Sequence, residues 1–226
     1  MPFLILVKNE SSLATKDLKK YISAINFQLK NHFYPAWKIK AECIFRGDYD
    51  GILYIQDKPT IDEAGGYHDY DPLKLIPEAF CFKDVSTELN EAFSVTISHE
   101  VLEMVLNRHG NYFAIGQHPK DRRKKAAVWL EACDAVQDQT YFIRDVEVSD
   151  FVYPYYFTPH NEKAGQNNFL GEKPVRSFGA TEGGYVGYFD FDKREMETYF
   201  PSDKSVLRDQ IKAKIGQKRR RSRLEL

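Results

Sequence analysis

Apolar residues recur along the first half of the chain with two different periods. Phe3–Val7, FLILV, is a short apolar run that includes β-branched residues and predicts a strand. After NESS, residues Leu18, Tyr21, Ile22, Ile25 and Leu29 stand three and four apart, which predicts an amphipathic helix from Thr15 to about His32. The period then drops to two. Trp37, Ile39, Ala41, Cys43 and Phe45 alternate with Lys38, Lys40 and Glu42, the pattern of a strand with one wet face. Ile52–Gln56 and Glu78–Phe82 predict two more strands. Between them, KPTIDEAGGYHDYDPLKLIP is rich in Gly, Pro and Asp and predicts a long connection, a kind of segment that is functional or mobile in compact domains.

A second helical pattern runs from about Ser86 to Gly110, where glycine suits the position just past a helix end. Beyond it come a basic stretch QHPKDRRKK, a short apolar segment AAVWLEACDAV, a strand-like TYFIRDVEV and the aromatic DFVYPYYF. The chain to about Phe200 is punctuated by Gly and Pro with short β-like pieces such as Gly184–Phe191. From Ser202 a helix is expected to run into the basic KRRRSRLEL and fray. No internal repeat is visible. The expectation is an α+β fold with a mixed sheet packed beside the central helix and an irregular β-rich C-terminal part. Residues 1–201 form one domain in this reading, and 202–226 a C-terminal helix and basic tail.

Composition sharpens this picture in three ways. With 42% hydrophobic and 29% charged residues, including 14 Tyr and 16 Phe, the 226-residue chain has enough apolar surface for a core and is not a disordered sequence. Its apolar runs are too short to span a bilayer, and FLILV gives way at once to Lys8, Asn9 and Glu10, unlike a secretory leader. A cytoplasmic or phage-virion location is expected, with no membrane partner. Cys43, Cys81 and Cys133 form no CxxC pair, which argues against a disulfide framework or a thiolate zinc knuckle. The net charge of −1 hides an asymmetry: Arg208–Leu226 holds eight Lys/Arg and two acids, leaving 24 basic against 31 acidic residues elsewhere. Such a tail either makes weak nucleic-acid contacts or stays solvated.

The candidate chemistry lies in SVTISHEVLEMVLNRHG, residues 94–110. On a helix His99 and Glu103 project from one face, while Glu100 lies about a hundred degrees round. In an HExxH helix the outer pair holds zinc and the inner glutamate accepts a proton from the metal-bound water; here Glu103 replaces the second histidine, still a workable zinc ligand. The apolar neighbours imply that these polar groups are buried, which is costly unless a cation neutralises them. WLEACDAV offers Glu131 as third ligand, on a following helix, and Asp134 as its outer partner, or the reverse. His109 is an alternative third ligand, although Leu106 stands where the metzincin spacing has glycine. Against all this stands the plainer possibility of an ordinary helix with an acidic face.

The landmarks GYHD, SVTISHEVLEM, LEACDAVQDQTYFI, VSDFVYPYYF and GGY, over roughly residues 60–190, resemble those of a family of uncharacterised bacterial and bacteriophage proteins. The chain departs from that pattern at Asn107-Arg108, where the relatives have Asp-Pro, and at Asp134-Ala135-Val136, where they have Asp-Pro-Val. The HExxE helix gives the resemblance a zincin-like, metallopeptidase character. What this implies is a metal-dependent hydrolase, a peptidase acting on peptide or protein. Zn2+, or Mn2+ or another divalent ion, would be held by His99, Glu103, Glu131 and Asp134, with Glu100 as general base. Tyr67 or His68, or one of Tyr153, Tyr155 and Tyr156, would stabilise the oxyanion. Two carboxylate ligands would leave the ion less Lewis-acidic than two histidines and a carboxylate, so a slow hydrolase or a structural metal is expected. The alternative is a non-enzymatic phage or mobile-element protein, structural or partner-binding, with a degenerate or structural metal site.

Overall fold

The computed structural model describes residues 1–59, 65–159 and 166–202. The C-terminal helix and basic tail expected from Ser202 onward lie outside the described residues, apart from their first residue. The chain is α+β. In order it forms β1 (Phe3–Asn9), α1 (Thr15–Gln28), a π turn (Leu29–Phe33), α2 (Tyr34–Trp37), β2 (Ala41–Ile44), β3 (Gly51–Gln56), β4 (Gly66–Asp71), β5 (Ile76–Phe82), α3 (Lys83–Glu88) and α4 (Phe93–Leu106). There follow β6 (Phe113–Gln117), β7 (Lys125–Trp129), β8 (Thr140–Ile143), β9 (Val146–Ser149), β10 (Val186–Asp190) and β11 (Glu195–Tyr199), with 3-10 turns at Asp134–Val136 and Pro154–Phe157. No helix among the described residues is long and apolar enough to cross a membrane. Two compact units result: Met1–Gly110 with Thr140–Ser149, and Asn111–Gln139 with the chain from Asp150 onward.

The first unit is built on a mixed five-stranded sheet in the order β2-β1-β3-β5-β4. The first four strands are mutually parallel and β4 runs antiparallel at the edge. Phe3, Ile5 and Val7 point to one face of β1 and are buried, while α1 buries Leu18, Ile22 and Ile25 on its inward stripe. The strand expected from Trp37 begins only at Ala41. Pro35 enters α2 in its first turn, where a missing N–H costs nothing, and Lys38 takes a left-handed conformation (φ 58) that ends it. Asn26 fastens α1 to the outer edge of β2, its amide nitrogen donating to Cys43 O (2.9 Å) and its oxygen accepting from Cys43 N–H (2.8 Å).

The single helix expected over 86–110 is two. The chain turns at Asn90 (φ 53), where the Glu91 N–H donates to Ser86 O, and α4 starts afresh at Phe93. Gly110 does take a positive φ (61), but in a turn past the helix end at Leu106. All 14 residues of α4 are buried. The helix packs on β4 and β5 and on the β8–β9 hairpin. Its hydroxyls serve that hairpin: Ser94 Oγ donates to Glu147 O (2.7 Å), and Ser98 Oγ accepts the Ser149 N–H (2.7 Å) while donating to Val95 O (3.0 Å).

The second unit holds an antiparallel sheet, β11-β10-β7-β6, with Ala126, Val128, Phe178, Val186 and Tyr188 clustered as core. Gly116 on β6 leaves room for the Phe178 ring, whose nearest carbon lies 2.0 Å from where a Cβ would stand. A second cluster joins Ala135, Val136, Val152, Tyr156 and Val175. Asp150 is fully buried beside it, accepting from Asn168 Nδ2 (2.9 Å) and Leu170 N–H (3.1 Å). Burial pushes its carboxyl up to about 6, further than these hydrogen bonds lower it.

Two outcomes follow from this packing. Ser98→Ala removes the acceptor of a buried N–H and is expected to cost about 1–3 kcal/mol in a urea titration. For Asp150 the folded pKa lies above the unfolded 3.8, so its contribution is fully present below pH 4 and is lost as pH rises through about 6. Unfolding free energies from urea titrations between pH 4.5 and 7.5 should therefore fall by an amount on the order of 3 kcal/mol at most, and Asp150→Asn should flatten that slope.

Candidate metal centre

The stretch expected as a long loop contains a strand, and this is the main correction to the sequence reading near the site. Residues 66–71 pair with β5 in antiparallel register, His68 opposite Ala79 and Tyr70 opposite Pro77. The Phe82 N–H donates to Gly65 O, which fixes the ladder so that Tyr67, Asp69 and Asp71 bond to β5. Pro77 thus falls at a position where no ladder donor is needed. Asp71 closes the hairpin: its carboxylate accepts the N–H groups of Leu73 (2.8 Å) and Lys74 (3.1 Å), and Leu75 turns back with φ 59. Gly, Asp and Pro signal a loop here because they build its turn.

Alternation on β4 sends Gly66 and His68 to the face that α4 covers. A Cβ on Gly66 would stand 2.7 Å from Glu100 Cγ and 2.8 Å from Glu100 Oε1, so only glycine leaves the slot in which this carboxylate lies. Two residues on, His68 Nδ1 lies 3.7 Å from Glu100 Oε2 and 3.8 Å from Glu103 Oε2. One turn earlier on the helix, His99 Nε2 lies 3.3 Å from the same Glu103 oxygen. Ligand atoms of His68, Glu100 and Glu103 are all within 4.8 Å of one another. Atoms bound at about 2.1 Å to one tetrahedral ion stand about 3.4 Å apart, and these separations bracket that value.

The cluster is shielded from water. His99, Glu100 and Glu103 are each 4% exposed and His68 is 8% exposed. Charge on two carboxylates in such surroundings is costly unless hydrogen bonds, an imidazolium or a cation compensate it. Glu103 Oε2 approaches both imidazoles, and Glu103 belongs to each group of potential ligands found among the described residues.

Neither Tyr67 nor His109 joins this cluster. Tyr67 points to the other face of β4, its ring packed on Phe80 (4.7 Å) and Phe82 (5.8 Å) in a ladder that Tyr54 extends by stacking on Phe80 (4.9 Å). His109 is exposed, against the Tyr70 ring at 4.7 Å. Glu131 and Asp134 belong to the second unit, where both are buried and line one narrow cleft with Tyr156 and Tyr185. Glu131 lies after the end of β7 rather than on a helix, and Asp134 opens a 3-10 turn. In that unit Tyr156 donates to Gly179 O (2.7 Å) inside the core, Tyr153 is partly buried and Tyr155 is 60% exposed. Sequence reasoning missed Gly66; its only signal was a glycine two residues before a histidine.

No protein-family model, curated protein or solved structure matches the chain.

Gly66→Ala forces a Cβ into Glu100 and toward Phe80 O (3.0 Å). A loss of about 1–3 kcal/mol in a urea titration is expected, with a smaller loss when the same change is made in a Glu100→Ala background, where the crowding is relieved.

Proposed function

We propose that the protein is a metal-dependent hydrolase of peptide or protein amide bonds, with Zn2+ or Mn2+ held at Glu103 together with the imidazole of His68. The observation that carries this is the buried group of His68, Glu100 and Glu103, whose ligand atoms all lie within 4.8 Å of one another, with His99 Nε2 3.3 Å from the same Glu103 oxygen that lies 3.8 Å from His68. The mixed donor set of imidazole and carboxylate suits zinc and admits manganese. A bound ion would supply Lewis acidity, acidifying water and polarising a carbonyl.

The protein's own groups supply the rest. Glu100 is the general base: its carboxylate takes a proton from water and returns it to the leaving amine. The glycine slot holds that carboxylate in place, 3.7 Å from His68 Nδ1. Gly66 and His68 turn their backbone N–H and C=O groups away from β5, toward the edge of the sheet, by the parity of the ladder. An extended peptide laid along that edge would pass beside Glu100. An antiparallel edge strand packed against the helix that carries His99, Glu100 and Glu103 supports a peptide substrate.

A second reading has its own support. With every member of the cluster at most 8% exposed, a metal there would also stabilise the core of a non-enzymatic, structural or partner-binding protein.

Metal analysis of the purified chain is expected to give about one equivalent of zinc or manganese, lost in His68→Ala and Glu103→Ala. Glu100→Gln should retain the ion yet hydrolyse casein at least a hundredfold more slowly. Hydrolysis that survives Glu100→Gln would exclude the proposed base. A chain that binds the ion, melts lower without it and cleaves nothing would support the structural reading, and a chain that binds no ion would exclude both.

A further inference from the structure

Sheet edges expose unpaired backbone groups, and three of the four edges in the two main sheets carry guards, β4 only at its Tyr70 end. On β2 the Asn26 amide occupies both outward groups of Cys43. On β4 the Asp69 carboxylate takes the outward N–H of Tyr70 (2.8 Å). On β11, Glu195 and Glu197 place charge along the strand, Glu197 accepting from Lys120 (2.9 Å). The fourth edge, β6, reads FAIGQ and carries no charge and no proline.

The ladder fixes which groups β6 offers. Leu130 N–H donates to Tyr112 O and His118 N–H to Lys124 O, so Ala114 and Gly116 bond to β7 while Phe113, Ile115 and Gln117 turn their backbone outward. The backbone groups of Phe113 and Ile115 have no partner among the described residues. Their side chains share one face and are 51% and 60% exposed. Gln117 continues that face, and its cross-strand neighbour Lys125 is exposed with no ion-pair partner among the described residues. The other cations of the adjoining turn are engaged: Lys120 with Glu197, Arg123 with Asp121, Lys124 with Asp192, and Arg122 with the Gln117 amide.

We propose that β6 is a docking edge for an extended peptide that joins the sheet as an antiparallel fifth strand. Antiparallel addition continues the pattern of this sheet, in which every pair is antiparallel. Positions opposite Gln117, Ile115 and Phe113 then follow one another at every second residue of the peptide. The motif is acidic-x-apolar-x-apolar from N to C terminus, the acid meeting Lys125 and the apolar residues covering Ile115 and Phe113. A five-residue edge has the size of a peptide site and falls short of the roughly 1,200 Å2 that stable interfaces between folded chains bury.

The test uses the full chain and a fluorescein-labelled heptapeptide, Thr-Glu-Thr-Val-Thr-Val-Thr, followed by fluorescence polarisation. Saturable binding is expected, weakened at least tenfold by Ile115→Pro, which deletes an outward N–H that β7 does not use, and by Ile115→Lys, which adds a charged guard. Lys125→Glu should weaken this peptide and favour the version with lysine in place of glutamate. Thermal melting within a few degrees of the parent chain verifies that each variant is folded, and Ile115→Lys serves if the proline variant is not. No saturable binding, or equal binding by the parent and Ile115→Lys chains, overturns the proposal. So does a concentration-dependent dimer that Ile115→Lys abolishes without any peptide binding, because the edge would then belong to a second copy.

Discussion

The structure of the first unit turns on one constraint: α4 is buried on every side and yet carries an imidazole and two carboxylates within five residues. A helix so enclosed is ordinarily apolar all round. Its hydroxyls meet the constraint by bonding to the β8–β9 hairpin and to α3, as Thr96 does with Ser86 (2.9 Å). The ionisable groups meet it through Glu103, which His99 approaches on the helix and an imidazole from β4 approaches from across it. The antiparallel edge strand, the glycine slot and the tight Asp71 turn are the means by which that imidazole is brought there.

Much of this architecture was legible where local period and burial agree. β1, α1, β3 and β5 each show one buried face at the spacing of their element, and their residues fall where the pattern puts them. The buried character of α4 was legible too, in the apolar residues flanking His99. What was not legible depends on partners distant in sequence. β4 has the composition of a loop and becomes a strand because β5 supplies the ladder. The break at Asn90 and the late start of β2 rest on single left-handed residues that leave hydrophobic spacing undisturbed. AAVWLEACDAV divides into a strand and a 3-10 turn because an apolar run of that length fits helix and strand alike.

The candidate site shows the same division. His99, Glu100 and Glu103 form a spacing that can be read directly, since four residues make about one helical turn. His68 stood in the sequence as a loop histidine, and its place beside both glutamates comes from strand pairing across the hairpin. The proposed peptide edge on β6 and the edge beside the candidate metal centre differ in kind. One offers hydrophobic side chains beside unclaimed backbone, the other backbone beside charge.

The first unit is also discontinuous: Thr140–Ser149 returns to it after residues 111–139 have gone to the second. The serine hydroxyls of α4 bond to groups in that returning segment. On a ribosome, α4 is therefore complete well before its companions emerge, and its polar surface must wait. Translation rate between Asn111 and Ser149 sets how long this half-covered helix is held open to chaperones and to misassociation.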